Sequence, residues 1–244
     1  MSLDKNELKY LVNELKKVFA TKKEFSNIKD VVDEPPVYVE PTASLSLNPV
    51  IMLRNELTEM SISPKFVQND AGEVNRVVVK RNDEILYDVG ALDVFTDFVS
   101  ADHNESVIYT VEIYFNDGIV KESLLGVPDE ENNIKGGMCK ATQSITAYAP
   151  SFYGIMDNDY NFISTVKILN PTKKYTFEHI NMTSARFAYA YPSSYGEINS
   201  IKDANNFEYI QSYTKTVMEN DGVEYIVYIL TDPVTITDFK QIFS

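Results

Sequence analysis

The sequence predicts a mainly β protein with one helical segment at its N-terminus. Three observations predict it. Apolar residues alternate with polar ones through most of the chain after residue 50. Asn, Asp and Gly turn signals separate these runs at intervals of roughly ten residues, as in antiparallel sandwiches. A 3.6-residue apolar period is confined to the start of the chain.

That start, "DKNELKYLVNELKKVFATKKEF", places Leu8, Leu11, Val12, Leu15, Val18 and Phe19 on one helical stripe, with Lys and Glu elsewhere. In heptad terms Leu8 and Leu15 are a positions, Leu11 and Val18 d positions. Two heptads do not hold a coiled coil in water, so this helix needs another surface. "TKKE" at Thr21–Glu24 has the form of a capping box and predicts a short second helix through Phe25 and Ile28. Residues 1–32 are thus read as a helical anchor. "DEPPVYVEPTASLSLNP" follows, with four prolines that forbid a helix, and predicts an extended linker over 33–49. Within it "VYVE" has the character of an edge strand.

From 50 to 128 the signals are those of an immunoglobulin- or fibronectin-like β-sandwich. "RVVVKRNDEILYDV" reads as strand, turn at Asn82–Asp83, strand. "VIYTVEIYFNDGIVKESLL" reads as a second hairpin turning at Asn116-Asp117-Gly118. Tyr109, Val111, Ile113 and Phe115 alternate with Thr110, Glu112 and Tyr114 and so share a face. The polar, turn-rich stretch after Pro128 predicts an inter-domain loop over 129–146. A second antiparallel β domain, 147–244, contains "FISTVKIL" and "KYTFEHI" around Asn170-Pro171, then "ARFAYAYP", "VEYIVYIL" after an Asp-Gly turn, and "VTITDFKQIF".

Composition excludes several function classes. The net charge is −14. Residues 1–30 carry seven Lys against five acids, so the remainder bears −16 and repels phosphate backbones. No run approaches the ~20 apolar residues of a membrane span. The N-terminus has no apolar signal-peptide core, which predicts synthesis in the cytoplasm. One cysteine, Cys139, rules out an intramolecular disulfide and reads as an inert thiol.

The stretch richest in candidate binding residues is "FAYAYPSSYG", Phe187–Gly196. On a strand Phe187, Tyr189 and Tyr191 share one face opposite Ala188 and Ala190. That pattern suits packing beneath another sheet, with Pro192 ending the strand and Gly196 closing a turn. The rival reading is an exposed aromatic surface of Tyr189, Tyr191 and Tyr195, joined by Asp203 and Asn205 of "SIKDANNF". Enzyme signatures are missing. His103 and His179 fall in different expected domains, and no nucleophile elbow or P-loop spacing occurs. "DNDY" at 157–160 has too few acids for a calcium loop and reads as a solvated turn. No catalytic residue, metal or cofactor is expected.

The run from "FAYAYPSSYGEINSIKDANNFEYIQSYTKT" to "DGVEYIVYILTDPVTITDFKQIFS" resembles the C-terminal domain of virion structural proteins of tailed bacteriophages. The matching positions are Tyr191–Gly196, Ser200–Phe207 and Tyr225–Tyr228, and the N-terminal "FATK", Phe19–Lys22, is of a kind common in those proteins. The resemblance implies a tail, neck, baseplate or fibre-associated component of a virion, made in the host cytoplasm, with an immunoglobulin-like module and no catalytic residues. Its partners would be other virion proteins and further copies of itself. Docking would use Leu8, Leu11, Leu15, Val18 and Phe19. The alternative is a module that binds a host glycan or receptor through the Tyr-rich C-terminal domain.

Overall fold

The computed structural model describes residues 5–18, 35–123 and 126–244, and within the helix the side chains of residues 6, 7 and 9–14. The chain is mainly β, with one helix, α1 (Lys5–Val18), and many antiparallel strands among the described residues. The predicted second helix after Thr21, like all of 19–34, lies outside the described residues.

The chain divides into two units, each discontinuous in sequence. One comprises Met1–Asn48, Ser61–Thr96 and Ile108–Gln143, the other Pro49–Met60, Asp97–Val107 and Ser144–Ser244. This corrects the contiguous blocks expected at 50–128 and 147–244. The cuts fall inside β3 (Thr58–Val67), β6 (Phe95–Val99), β7 (Ser106–Phe115) and β8 (Gly137–Tyr148). Composition marks where a chain turns polar, not which core a strand's residues join.

In the first unit, β1 (Thr42–Asn48) pairs antiparallel with β3 from Thr42↔Val67 to Asn48↔Ser61. The linker expected over 33–49 therefore holds a strand. Pro41 and Pro49 flank β1 rather than interrupt it, and Leu45 and Leu47 are buried. "VYVE" does not form a strand. It is pinned instead by side chains. The Tyr38 hydroxyl donates to the Asp129 carbonyl at 3.0 Å and accepts the Lys121 N–H at 2.8 Å. The Val39 N–H donates to Asp70 Oδ2 at 2.7 Å, and Lys121 Nζ reaches the same oxygen at 2.6 Å. That ammonium holds the Asp70 carboxyl below its usual range.

β4 (Val74–Arg81) lies between β7 and β5 (Glu84–Val89). Its consecutive Val77, Val78 and Val79 are all buried, so both faces of this strand are covered. Val77 stands opposite Ile113 and Val79 opposite Val111, and the expected inward row Tyr109, Val111, Ile113 and Phe115 is buried. The β4–β5 turn is the predicted one: Asn82 and Asp83 both take positive φ, the geometry of a twist-compatible two-residue hairpin.

The second predicted hairpin does not form. β7 ends at Phe115 and pairs with β4 and β8, not with the residues after Gly118. Gly118 is used for close approach instead: a Cβ there would lie 1.9 Å from the Asp70 carbonyl oxygen. The Gly118 N–H bonds the Ile134 carbonyl at 2.8 Å, and Gly72 N–H the Asn116 carbonyl at 3.0 Å. β8 in turn occupies much of the loop expected over 129–146. Its first residues, "GMCKATQS", are largely solvated, and a strand with a wet face carries the composition of a loop. Cys139 is half-buried there, its thiol donating to the Pro41 carbonyl and pushed up in pKa by burial.

The second unit is organised by β11 (Tyr175–Pro192), an 18-residue strand. Its C-terminal half pairs with β9 (Ser151–Met156) and β14 (Val223–Leu230). Its N-terminal half pairs with β15 (Val234–Phe243). The sheet order is β10 (Phe162–Ile168), β9, β11, β14, β13 (Tyr213–Asn220), while β12 (Ile201–Asp203) pairs β15. Asp221 and Gly222, both at positive φ, close β13–β14 as predicted. β10 and β11 flank the Asn170-Pro171 stretch but do not pair, since β9 lies between them. Phe177, Phe187, Tyr189, Tyr191, Phe239 and Phe243 form the centre of the core.

Gly118→Ala is expected to lower the unfolding free energy by about 1–3 kcal/mol, because backbone atoms must move to admit the Cβ. Gly90→Ala, whose Cβ would meet nothing nearer than 3.9 Å, should change it by less than ~0.5 kcal/mol. Urea unfolding of both variants checks the pair.

Candidate functional site

Tyr189 and Tyr191 are fully buried, which removes them from the expected interaction surface. β11 alternates strictly here, so Phe187, Tyr189 and Tyr191 all point inward, where Phe177 meets Phe187 at 4.8 Å and Tyr189 at 4.9 Å between ring centroids. The Tyr189 and Tyr191 hydroxyls both have backbone partners. Tyr189 Oη donates to the Lys173 carbonyl at 3.3 Å and accepts from Asn170 Nδ2 at 3.2 Å. Tyr191 Oη donates to the Gly196 carbonyl at 3.1 Å, across the 3₁₀ turn Ser193–Tyr195. Gly196 sits at φ 76°, which closes that turn as expected. Desolvation pushes the Tyr189 phenol up to about 12.

Of the remaining members of that surface, Tyr195 packs against the same core, while Asp203 and Asn205 belong to a loop. Tyr195 is half-buried with its hydroxyl enclosed and unpartnered. Asp203 Oδ1 accepts the N–H groups of Asn205 at 2.8 Å and Phe207 at 2.9 Å, an Asx-type turn with Asn206 at positive φ. Asn205 and Phe207 are exposed. Of the docking residues, Leu11 is exposed; Phe19 and the side chains of Leu8, Leu15 and Val18 lie outside the described residues. On the same helix Val12 is buried, and Tyr10 and Leu11 line an open, apolar concavity of about 490 Å³ with Asn6 and Glu7.

The two histidines fall in one unit, not in two domains, yet they do not meet. His179 Nδ1 lies 2.6 Å from Asp238 Oδ1, both exposed. His103 Nε2 lies 3.4 Å from Ser194 Oγ, with Asp102 next to it in the chain. That trio has the composition of a nucleophilic triad and the wrong wiring. His103 Nδ1 accepts the Ala149 N–H at 3.0 Å, so the neutral ring carries its proton on Nε2, the nitrogen that would have to take the serine proton. Asp102 Oδ1 faces the His103 backbone N–H at 2.6 Å and Arg54 Nη2 at 2.8 Å, not the imidazole. The expected solvated turn at 157–160 is the β9–β10 connection, where Asp157 Oδ1 accepts from Asp159 and Asn161 N–H. No group of three metal-ligating side chains occurs among the described residues.

One pocket of the second unit was not legible beforehand. About 260 Å³ in volume, it is lined by Arg54, Pro150, Phe152, Lys167, Asn220, Asp221 and Tyr225. Arg54 forms its floor, with a side chain only 13% exposed. Nη2 binds Asp102, Nη1 donates to the Asp221 carbonyl at 2.7 Å, and Nε is buried without a partner. Phe152 and Tyr225 make an apolar wall, their ring centroids 5.8 Å apart. Lys167 is tied to Glu56 at the rim. These residues come from four separated stretches of chain, and only Asn220, Asp221 and Tyr225 fall in stretches that the sequence singled out.

Comparison with protein-family models, with curated proteins and with solved structures gives no match. Among the described residues no helix is long and apolar enough to cross a membrane.

Burial, reinforced by Arg54, lowers the His103 pKa below its ordinary 6.5. The folded chain thus binds fewer protons than the unfolded one once pH falls to that value. The resulting stabilisation is complete above 6.5 and lost as pH falls from there through the folded pKa. Between about pH 7.5 and pH 5.5 the urea midpoint of the unaltered protein should fall further than that of His103→Gln, which keeps an acceptor but does not titrate.

Proposed function

We propose that this chain is a non-enzymatic structural component of a tailed-phage virion, docked through its N-terminal helix and presenting β units for subunit contacts. The tail, neck, baseplate or fibre attachment would be its place, other virion proteins and further copies of itself its partners. The observation that carries this reading is the exposure of Tyr10 and Leu11 at an apolar concavity of α1, on a helix that also buries Val12. A helix with apolar groups on more than one side has surface left over for a second protein after meeting the first.

The motif residues behind the phage resemblance fit the same reading. Tyr191 and Gly196 are joined by a hydrogen bond, Asp203 organises its own loop, and Tyr225–Tyr228 lie on a buried strand. Each serves the architecture, which is what a structural module asks of its signature. The first unit would be the immunoglobulin-like module of such a protein. A net charge of −14 supports a protein rather than a nucleic acid as partner.

A second reading, a glycan- or receptor-binding module, draws support from the Arg54 pocket. There an aromatic wall stands beside Asn220, Asp221 and an unmet guanidinium N–H. The Tyr189–Tyr191 row gives it none, being buried.

Leu11→Asp combined with Leu15→Asp separates the two. On the structural reading the double variant keeps its β circular dichroism and is missing from purified particles. Normal incorporation of that variant would remove the docking mechanism.

A further inference from the structure

β13 ends one side of the second unit's large sheet: among the described residues it pairs with β14 alone. That pairing runs without a slip from Tyr213↔Leu230 to Asn220↔Val223. Edge strands are commonly guarded by a proline, a bulge or brevity. β13 has eight residues and none of these guards, and all but Tyr213 are exposed. β10, at the other edge, is broken by a bulge between Phe162 and Ser164.

The outward backbone groups of β13 follow from its hairpin. A two-residue turn, Asp221-Gly222, makes Asn220↔Val223 a hydrogen-bonded pair. Just beyond the other end of the ladder the Thr231 N–H donates to the Ser212 carbonyl at 2.8 Å. Both ends set the same alternation. Thr214, Thr216, Met218 and Asn220 turn their N–H and C=O groups to β14, so Lys215, Val217 and Glu219 turn theirs away from it.

A second copy can pair antiparallel with this edge about a two-fold axis when outward residues face outward residues. With the axis at Val217, each Lys215 stands opposite the copy's Glu219, and Val217 opposite itself. Three facing pairs of two bonds each give about six backbone bonds. Facing side chains have Cβ atoms about 5 Å apart on one face, so two ion pairs form together. Lys215 also meets Glu197 of its own chain at 2.6 Å, and an ammonium has three N–H groups to share. Moving the axis to Thr216 or Met218 would set Val217 against a charge instead. We infer that β13 is the seam of a two-fold dimer, in which two copies of this chain join their sheets edge to edge with Lys215 across from Glu219. This pairing rests neither on α1 nor on the virion reading.

Light scattering of the full chain over a range of concentrations tests the seam. In about 0.15 M salt the Debye length is ~8 Å, which screens the two −14 chains from each other at a distance. The mass should rise reversibly from 27.7 kDa to twice that value and stop. Val217→Pro removes an N–H aimed away from β14, so the β circular dichroism should stay while the dimer weakens about tenfold or more. Glu219→Lys and Lys215→Glu each set like charges across the axis, and each alone should be monomeric where the unaltered chain is dimeric. Their equimolar mixture brings opposite charges back into register and should dimerise, a gain that misfolding of either variant cannot produce. A chain still monomeric at about 1 mM, a dimer indifferent to Val217→Pro, or a mixture no more associated than its parts would each overturn the inference. So would a mass that keeps climbing, the mark of β13 meeting β10 head to tail. A dimer abolished by Leu11→Asp with Leu15→Asp would belong to α1 and overturn it as well.

Discussion

The second unit depends on one constraint, that β11 must serve two sets of neighbours along 18 residues. A strand has two edges and two faces. To pair with β9 and β14 at one end and β15 at the other, it must bend between them. The bends are the register slips around His179 and Ser184, both at positive φ. Non-glycine residues in that region carry a backbone cost, here offset by local bonds: Ser184 N–H to Thr235 Oγ1, Asp238 N–H to Asn181 Oδ1. The inward aromatic row then sits where the two pairings meet, and Phe177 packs against Tyr153, Tyr175, Phe187, Tyr189 and Phe243.

The same bending makes the unit's surface features. A pocket beside Gln241 lies along the bulged ribbon, and the exposed His179–Asp238 pair joins two bulge residues across it. The Arg54 pocket has a different origin. There a hairpin tip, Asn220–Asp221, and residues beside β2 (Ile51–Leu53) and β9 meet over one guanidinium. Neither site has the orienting chain of groups that nucleophilic catalysis requires, and His103 shows how near a composition can come without the wiring.

What the sequence made legible was local. Asn82-Asp83 and Asp221-Gly222 announced their hairpins because two residues with positive φ suffice to set that turn. The inward rows of β7 and β11 were readable from period two alone. Asn116-Asp117-Gly118 misled because glycine serves a close approach as well as a turn, and nothing nearby distinguishes them. β1 was hidden by its flanking prolines and β8 by its wet face. Arg54, Phe152, Lys167 and Tyr225 share a pocket through tertiary contact, which no spacing rule reports.

The ties at Tyr38, Val39, Asp70 and Lys121 carry a mechanical consequence. They fasten the chain to the first unit just before β1 begins. Tension entering through the N-terminal segment loads these bonds first and then β1 against β3. The ties and the antiparallel pairs from Thr42↔Val67 to Asn48↔Ser61 must all yield before β1 can leave the first unit.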